Sequence, residues 1–112
     1  MTTICESILA VDSRIGYAMV VSEKGEVLES IMRGTRLMPQ QDIATFTGIW
    51  TIVIKGICSQ MEKFLGQHQY YSLGYDTLTV HGLPIAGNKT LVITARKDLP
   101  LETVLSLARI AD

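Results

Sequence analysis

Side chains that do chemistry are scarce in this chain. Its 112 residues hold two histidines, two cysteines and one tryptophan, and 19% of them are charged. His68 and His81 have no cysteine or carboxylate at metal-ligand spacing, and neither HExxH nor CxxC occurs. No metal site is expected, and both histidines read as solvated or structural. GxxxxGK[ST], GxGxxG and GxSxG are missing too, so the usual phosphate-cradling and nucleophile signatures are absent. Gly87-Asn88-Lys89-Thr90 matches only the tail of a phosphate loop and leads into a strand, so it reads as a turn. No catalytic residue and no cofactor is expected.

A basic excess is also lacking. Ten Lys/Arg nearly balance eleven Asp/Glu, for a net charge of −1, which argues against nucleic-acid binding. The first residues lack the basic start and apolar stretch of a signal peptide. The longest strongly apolar run, 49–57, is broken by Thr51, Lys55 and Gly56 and is far shorter than the roughly 20 residues of a spanning helix. We therefore expect no membrane insertion and a cytoplasmic location. Cys5 and Cys58 form no paired motif, and reduced, core-buried thiols are the simplest reading.

What the chain does have is apolar content. Hydrophobic residues make up 47%, enough for a real core in one domain spanning residues 1–112. Thr3 and Glu6 have capping-box spacing and open a short helix over 3–12. Segments 15–22 and 26–33 read as a β-hairpin turning at Glu23-Lys24-Gly25. The first of these strands is apolar on both faces, as expected of a central strand. Strands are also expected over 70–75, 78–83 and 90–96, the last of them central. Asp98 is expected to cap a final helix with Pro100 in its first turn. The predicted order is helix, two strands, long helix, three strands, helix. This is an α+β fold with a five-stranded antiparallel sheet and helices packed on it.

The long helix, 40–65, is the most informative element. Thr, Ile and Val crowd its middle and favour strands locally, but the spacing decides for helix. At 100° per residue, Ile43, Phe46, Trp50, Val53, Ile54, Ile57, Met61, Phe64 and Leu65 share one stripe, expected to lie on the sheet. Thr45, Gly48, Ile49, Ile52, Gly56 and Ser59 form a second stripe of small and apolar residues. Small residues allow close helix approach, so this stripe is expected to meet another helix, that of a second copy in a domain this small. The loop 32–38 carries Arg33, Arg36 and Met38 and lies near Arg14. It is a candidate contact surface for a partner.

The element order and the segment 14–28, an apolar strand entering a Gly turn, resemble the Roadblock/dynein light chain superfamily. The stretch Lys89-Thr90-Leu91-Val92-Ile93-Thr94 is similar in plan, and the chain also looks like small archaeal Roadblock-like proteins. The resemblance covers most of the chain but is one of hydrophobicity and turns. It implies homodimers made through the long helix, often with the sheet extended across both copies. It also implies platforms for small GTPases or scaffold proteins, with little chemistry of their own. The alternative is a small-molecule sensor of PAS or profilin-like type, which a cavity lined by Tyr17, Trp50, Tyr70 and Tyr71 would favour.

Overall fold

The computed structural model describes residues 3–34 and 40–112. The elements are α1 (Ile4–Leu9), β1 (Ile15–Val21), β2 (Val27–Met32), α2 (Gln40–Leu65), β3 (Tyr71–Gly74), β4 (Thr79–Ile85), β5 (Lys89–Ala95) and α3 (Leu101–Ala111). The strands form one five-stranded antiparallel sheet in the order β2-β1-β5-β4-β3. The fold class and the central position of β1 and β5 match the sequence expectation. β4 runs two residues further than expected, because Pro84 and Ile85 still pair with Thr90 and Lys89.

Strand alternation divides the core in two. Ala18, Val20, Leu83, Leu91 and Ile93 face α1 and α3 and pack with Cys5, Ile8, Val104 and Leu107. Tyr17, Met19, Val21 and Val92 face the other way, toward Ile43 of α2. Alternation on β2 is reset where Val20 pairs with Glu29 and Val21 with Val27, leaving Leu28 as an unpaired extra residue.

The short α1 is supported at its start. The Thr3 hydroxyl accepts the Glu6 N–H at 3.1 Å, as the capping spacing predicts. A further N–H, that of Cys5, is accepted by the Glu29 carboxylate at 2.8 Å. At α3 the expectation is corrected. Pro100 is the N-cap residue and no side chain caps the helix. Asp98 instead lies 3.8 Å from Arg96 and 3.9 Å from Arg14.

The rotation of α2 on the sheet is the main departure from expectation. Phe46, Val53, Ile57, Met61, Phe64 and Leu65, expected on the sheet, are all exposed, from 46% for Met61 to 77% for Phe64. Only Ile43 and Ile54 of that stripe are partly buried, and Trp50 is 38% exposed. The arc that packs inward carries Ile43, Thr47, Gly48, Thr51, Ile54 and Cys58. Gly48 explains the choice, because the helix backbone meets the backbone of Gly25 in the β1–β2 turn. A Cβ on Gly25 would lie 2.9 Å from the Gly48 carbonyl oxygen. Backbone-to-backbone approach of this kind needs small residues on the contacting arc, and it turns the large apolar residues outward.

By length and composition, α2 is the one helix among the described residues long and apolar enough to cross a membrane. This corrects the expectation drawn from the 49–57 run: Thr51, Lys55 and Gly56 interrupt the apolar composition without ending the helix. Its inner arc is nevertheless seated on a sheet. Lys55 also donates from Nζ to the Asn88 carbonyl at 2.8 Å.

Candidate functional site

Two features of α2 stand out: its outer surface, and the space beneath its N-terminal half. The outer surface carries Phe46, Ile49, Ile52, Val53, Ile57, Met61, Phe64 and Leu65, all at least 46% exposed. Single exposed apolar residues are normal, but a continuous strip along one helix marks an interaction surface. The helical spacing that makes the strip continuous is the same spacing that identified the helix.

The six residues of the small-and-apolar stripe do not share one fate. Thr45, Ile49, Ile52, Gly56 and Ser59 are exposed and contiguous with the strip. Gly48 is corrected: it is buried against Gly25 within the same chain and is closed to a partner. Gly56 has nothing within 4 Å of a Cβ built on it, so its surface is open.

Of the loop residues, Arg36 and Met38 lie outside the described residues. Arg33 donates to the carbonyls of Leu9 and Asp12, and so ties the end of β2 to the α1–β1 loop. Arg14 makes a two-point pair with Asp12, from Nε at 2.9 Å and from Nη2 at 2.7 Å. Those hydrogen bonds from Arg14 hold the Asp12 carboxyl down at about 2. The basic spot expected here is therefore partly an internal clamp of loop and strand.

The histidines and cysteines are dispersed. His81 is buried in β4, and its Nδ1 lies 2.6 Å from Ser72 Oγ across the β3–β4 pair. Burial pushes its pKa below the ordinary imidazole value. His68 follows α2, with Nε2 2.9 Å from the Tyr70 carbonyl oxygen. Cys5 is fully buried and Cys58 half-buried, and both are free thiols. Burial, with Glu29 alongside, pushes the Cys5 thiol up to about 12. Among the described residues no group of three or more His, Cys, Asp or Glu is placed to hold a metal ion.

The groove under α2 was not evident in the chain. α2 crosses the sheet near the β1–β2 and β4–β5 turns, where it meets Gly25 and Asn88. Among the described residues, the opposite end of that sheet face is left partly uncovered. The result is a groove of about 650 Å³ whose lining includes Tyr17, Met19, Trp50, Tyr71, Leu73 and Val92. Three of the four aromatic residues named for a sensor cavity are present, and Tyr70 is not among them. The Tyr71 ring lies directly over Gly82, where no side chain larger than hydrogen fits without displacing it. The alternating Tyr17/Met19 and Tyr71/Leu73 pairs were the available signal. They marked one apolar face but not its incomplete cover.

No family model matches the sequence, and no curated protein matches it significantly. Solved structures do. The Roadblock/LC7 domain from Streptomyces avermitilis superposes with a TM-score of 0.73 at 10% identity, over 98% of this chain and 92% of that one. MglB of Myxococcus xanthus gives 0.74 at 13% identity, over 96% and 85%. An MglB in a tetrameric arrangement gives 0.69 at 21% identity, also over 96% and 85%.

Proposed function

We propose that this chain, which has the Roadblock/LC7 fold, is a non-enzymatic interaction module that works as a homodimer through the outer surface of α2. The observation that carries this reading is the exposed apolar strip from Phe46 to Leu65. An exposed strip of that length carries a large free-energy cost in water, at about 25 cal/mol per Å² of apolar surface, which a partner helix would remove. The tetrameric arrangement of one structurally similar MglB supports self-association as a use of the fold. Platforms for small GTPases or scaffold proteins are what the family resemblance implies. A surface contributed by two copies is our proposed docking platform for such a partner. The cytoplasm is the compartment we propose, in keeping with two free thiols.

Light scattering coupled to size exclusion, over a tenfold concentration range, tests the dimer. Ile57 is 59% exposed in mid-strip, so Ile57→Asp should give a folded monomer. The same measurement tests the open position Gly56 as Gly56→Arg. If both variants keep the mass of the parent, the α2 interface is wrong. If the parent is monomeric and partitions onto lipid vesicles, the strip serves a membrane surface instead.

A further inference from the structure

We propose that the groove between α2 and the sheet is a binding site for a medium-chain carboxylate, its chain laid over the sheet and its charged end at Arg96. This site lies beneath α2 and shares only Phe46 with the outer strip. At about 650 Å³ it is within the size of small-molecule sites, which run from roughly 300 to 1,000 Å³. Its walls are mainly apolar and aromatic side chains from both layers: Tyr17, Tyr71 and Val92 from the sheet, Ile43 and Trp50 from α2. A dry wall of this kind favours an apolar chain over a sugar or nucleotide, whose polar groups would go unpaired there.

Charge is confined to one end. Arg14, Arg33 and Arg96 line it, with Asp12 and Asp98 paired to these arginines and Asp76 in the exposed β3–β4 turn nearby. The Asp12 carboxylate is consumed by Arg14 at 2.7 Å. Arg33 is held by backbone carbonyls, which satisfy its donors on the α1 side. Arg96 differs from both. It continues the Val92–Thr94 alternation on the groove face of β5, and its N–H still bonds the Arg14 carbonyl at 3.0 Å. Its side chain is 74% exposed and touches Asp98 only loosely, at 3.8 Å. The three charged side chains of the lining are all arginines, and of these Arg96 is the one held only loosely, free to swing onto an anion. The ligand that fits both halves is an apolar chain ending in a carboxylate.

Trp50 is the only tryptophan and lines the groove, so it reports occupancy directly. Dodecanoate, kept below its aggregation concentration, is titrated into the full chain while Trp50 fluorescence and thermal midpoint are followed. We expect a saturable change at one ligand per chain and a rise in midpoint. Dodecyltrimethylammonium, of equal chain length and opposite charge, should bind at least fivefold more weakly. Thr94→Phe and Val80→Phe fill the groove from two strands, and whichever folds with a parental circular dichroism spectrum should lose at least tenfold in affinity. Arg96→Glu should weaken dodecanoate at least fivefold and leave dodecanol unchanged. A flat titration, or parental affinity in the filled variants, overturns the site. Equal binding of the cationic probe overturns the carboxylate. Mass is measured in parallel with and without ligand. A dimer that excludes dodecanoate means the second copy fills the groove and overturns the proposal. Saturable binding to a monomer upholds it while removing the dimer.

Discussion

Gly48 in α2 and Gly25 in the β1–β2 turn touch backbone to backbone, and neither position has room for a Cβ. Gly→Ala inside a helix ordinarily stabilises by roughly 0.5–1 kcal/mol, because alanine is the better helix former. At Gly48 the sign should reverse. Gly48→Ala must push the helix off the turn and should destabilise by about 1–3 kcal/mol, the range for overpacking. Gly56→Ala, with open space around it within the protomer, should stabilise the monomeric protein by roughly 0.5–1 kcal/mol. Urea unfolding of both variants at one fixed protein concentration checks the pair. Equal effects would mean that Gly48 does not face Gly25.

Thr51 lies on the same inner arc, 2% exposed, and its hydroxyl faces the Tyr71 phenol without closing a well-formed hydrogen bond. A buried unsatisfied hydroxyl costs about 1–3 kcal/mol. Thr51→Val removes the hydroxyl and keeps the shape, so it should raise the unfolding free energy by about 1 kcal/mol. Thr51→Ser keeps the hydroxyl, deletes a methyl, and should lower it by a similar amount, about 1 kcal/mol. A destabilised Thr51→Val would mean that the Tyr71 phenol bonds the Thr51 hydroxyl in solution.

The two thiols should behave differently toward a maleimide. The thiolate is the reactive form, and Cys5 is fully buried with its thiol pushed up to about 12 by burial and by Glu29. It should label only on unfolding, whereas half-buried Cys58 should label in the native protein. The folded pKa of Cys5 is raised, so its contribution to stability is complete below the unfolded value and fades as pH climbs toward 12. Glu29→Ala frees the Cys5 N–H and lifts the carboxylate away. That variant should show measurable native labelling of Cys5 and a loss of about 1–2 kcal/mol in stability. Unchanged protection would mean that packing alone shields the thiol.

His81 predicts a mild acid sensitivity. Its folded pKa is depressed by burial. The unfolded chain therefore takes up the proton first, and stability falls as pH drops through about 6.5, the unfolded imidazole value. The urea midpoint should decline between about pH 7.5 and 5.5, and His81→Gln should flatten that slope. Asp12 acts in a separate, more acidic window. Its carboxyl is held at about 2, so its stabilisation is present above the ordinary carboxylate range and lost as pH falls toward 2. A parental slope that survives His81→Gln assigns the pH dependence to another group.

Much of the architecture was legible because it rests on local periods. The 3.6-residue spacing from Ile43 to Leu65 marked α2 at its observed bounds, against the strand preference of its Thr, Ile and Val residues. Strand alternation and the turn at Gly25 placed the first hairpin. The apolar run of β5 made it central, and the sheet order confirms that. The Thr3 cap followed from a three-residue spacing.

Tertiary structure decided which arc of α2 faces the sheet. Hydropathy ranked the arcs by burial gain and chose Phe46, Trp50 and Ile57. The chain instead seats Thr47, Gly48 and Thr51, because only that arc lets the helix close on the Gly25 backbone. That single rotation exposes the apolar strip, withdraws Gly48 from the outer stripe and leaves the groove beneath Trp50 open. A periodic pattern encodes a helix and its apolar arcs through the sequence alone. How closely two backbones can approach is a property of the pair, and no one-dimensional period contains it.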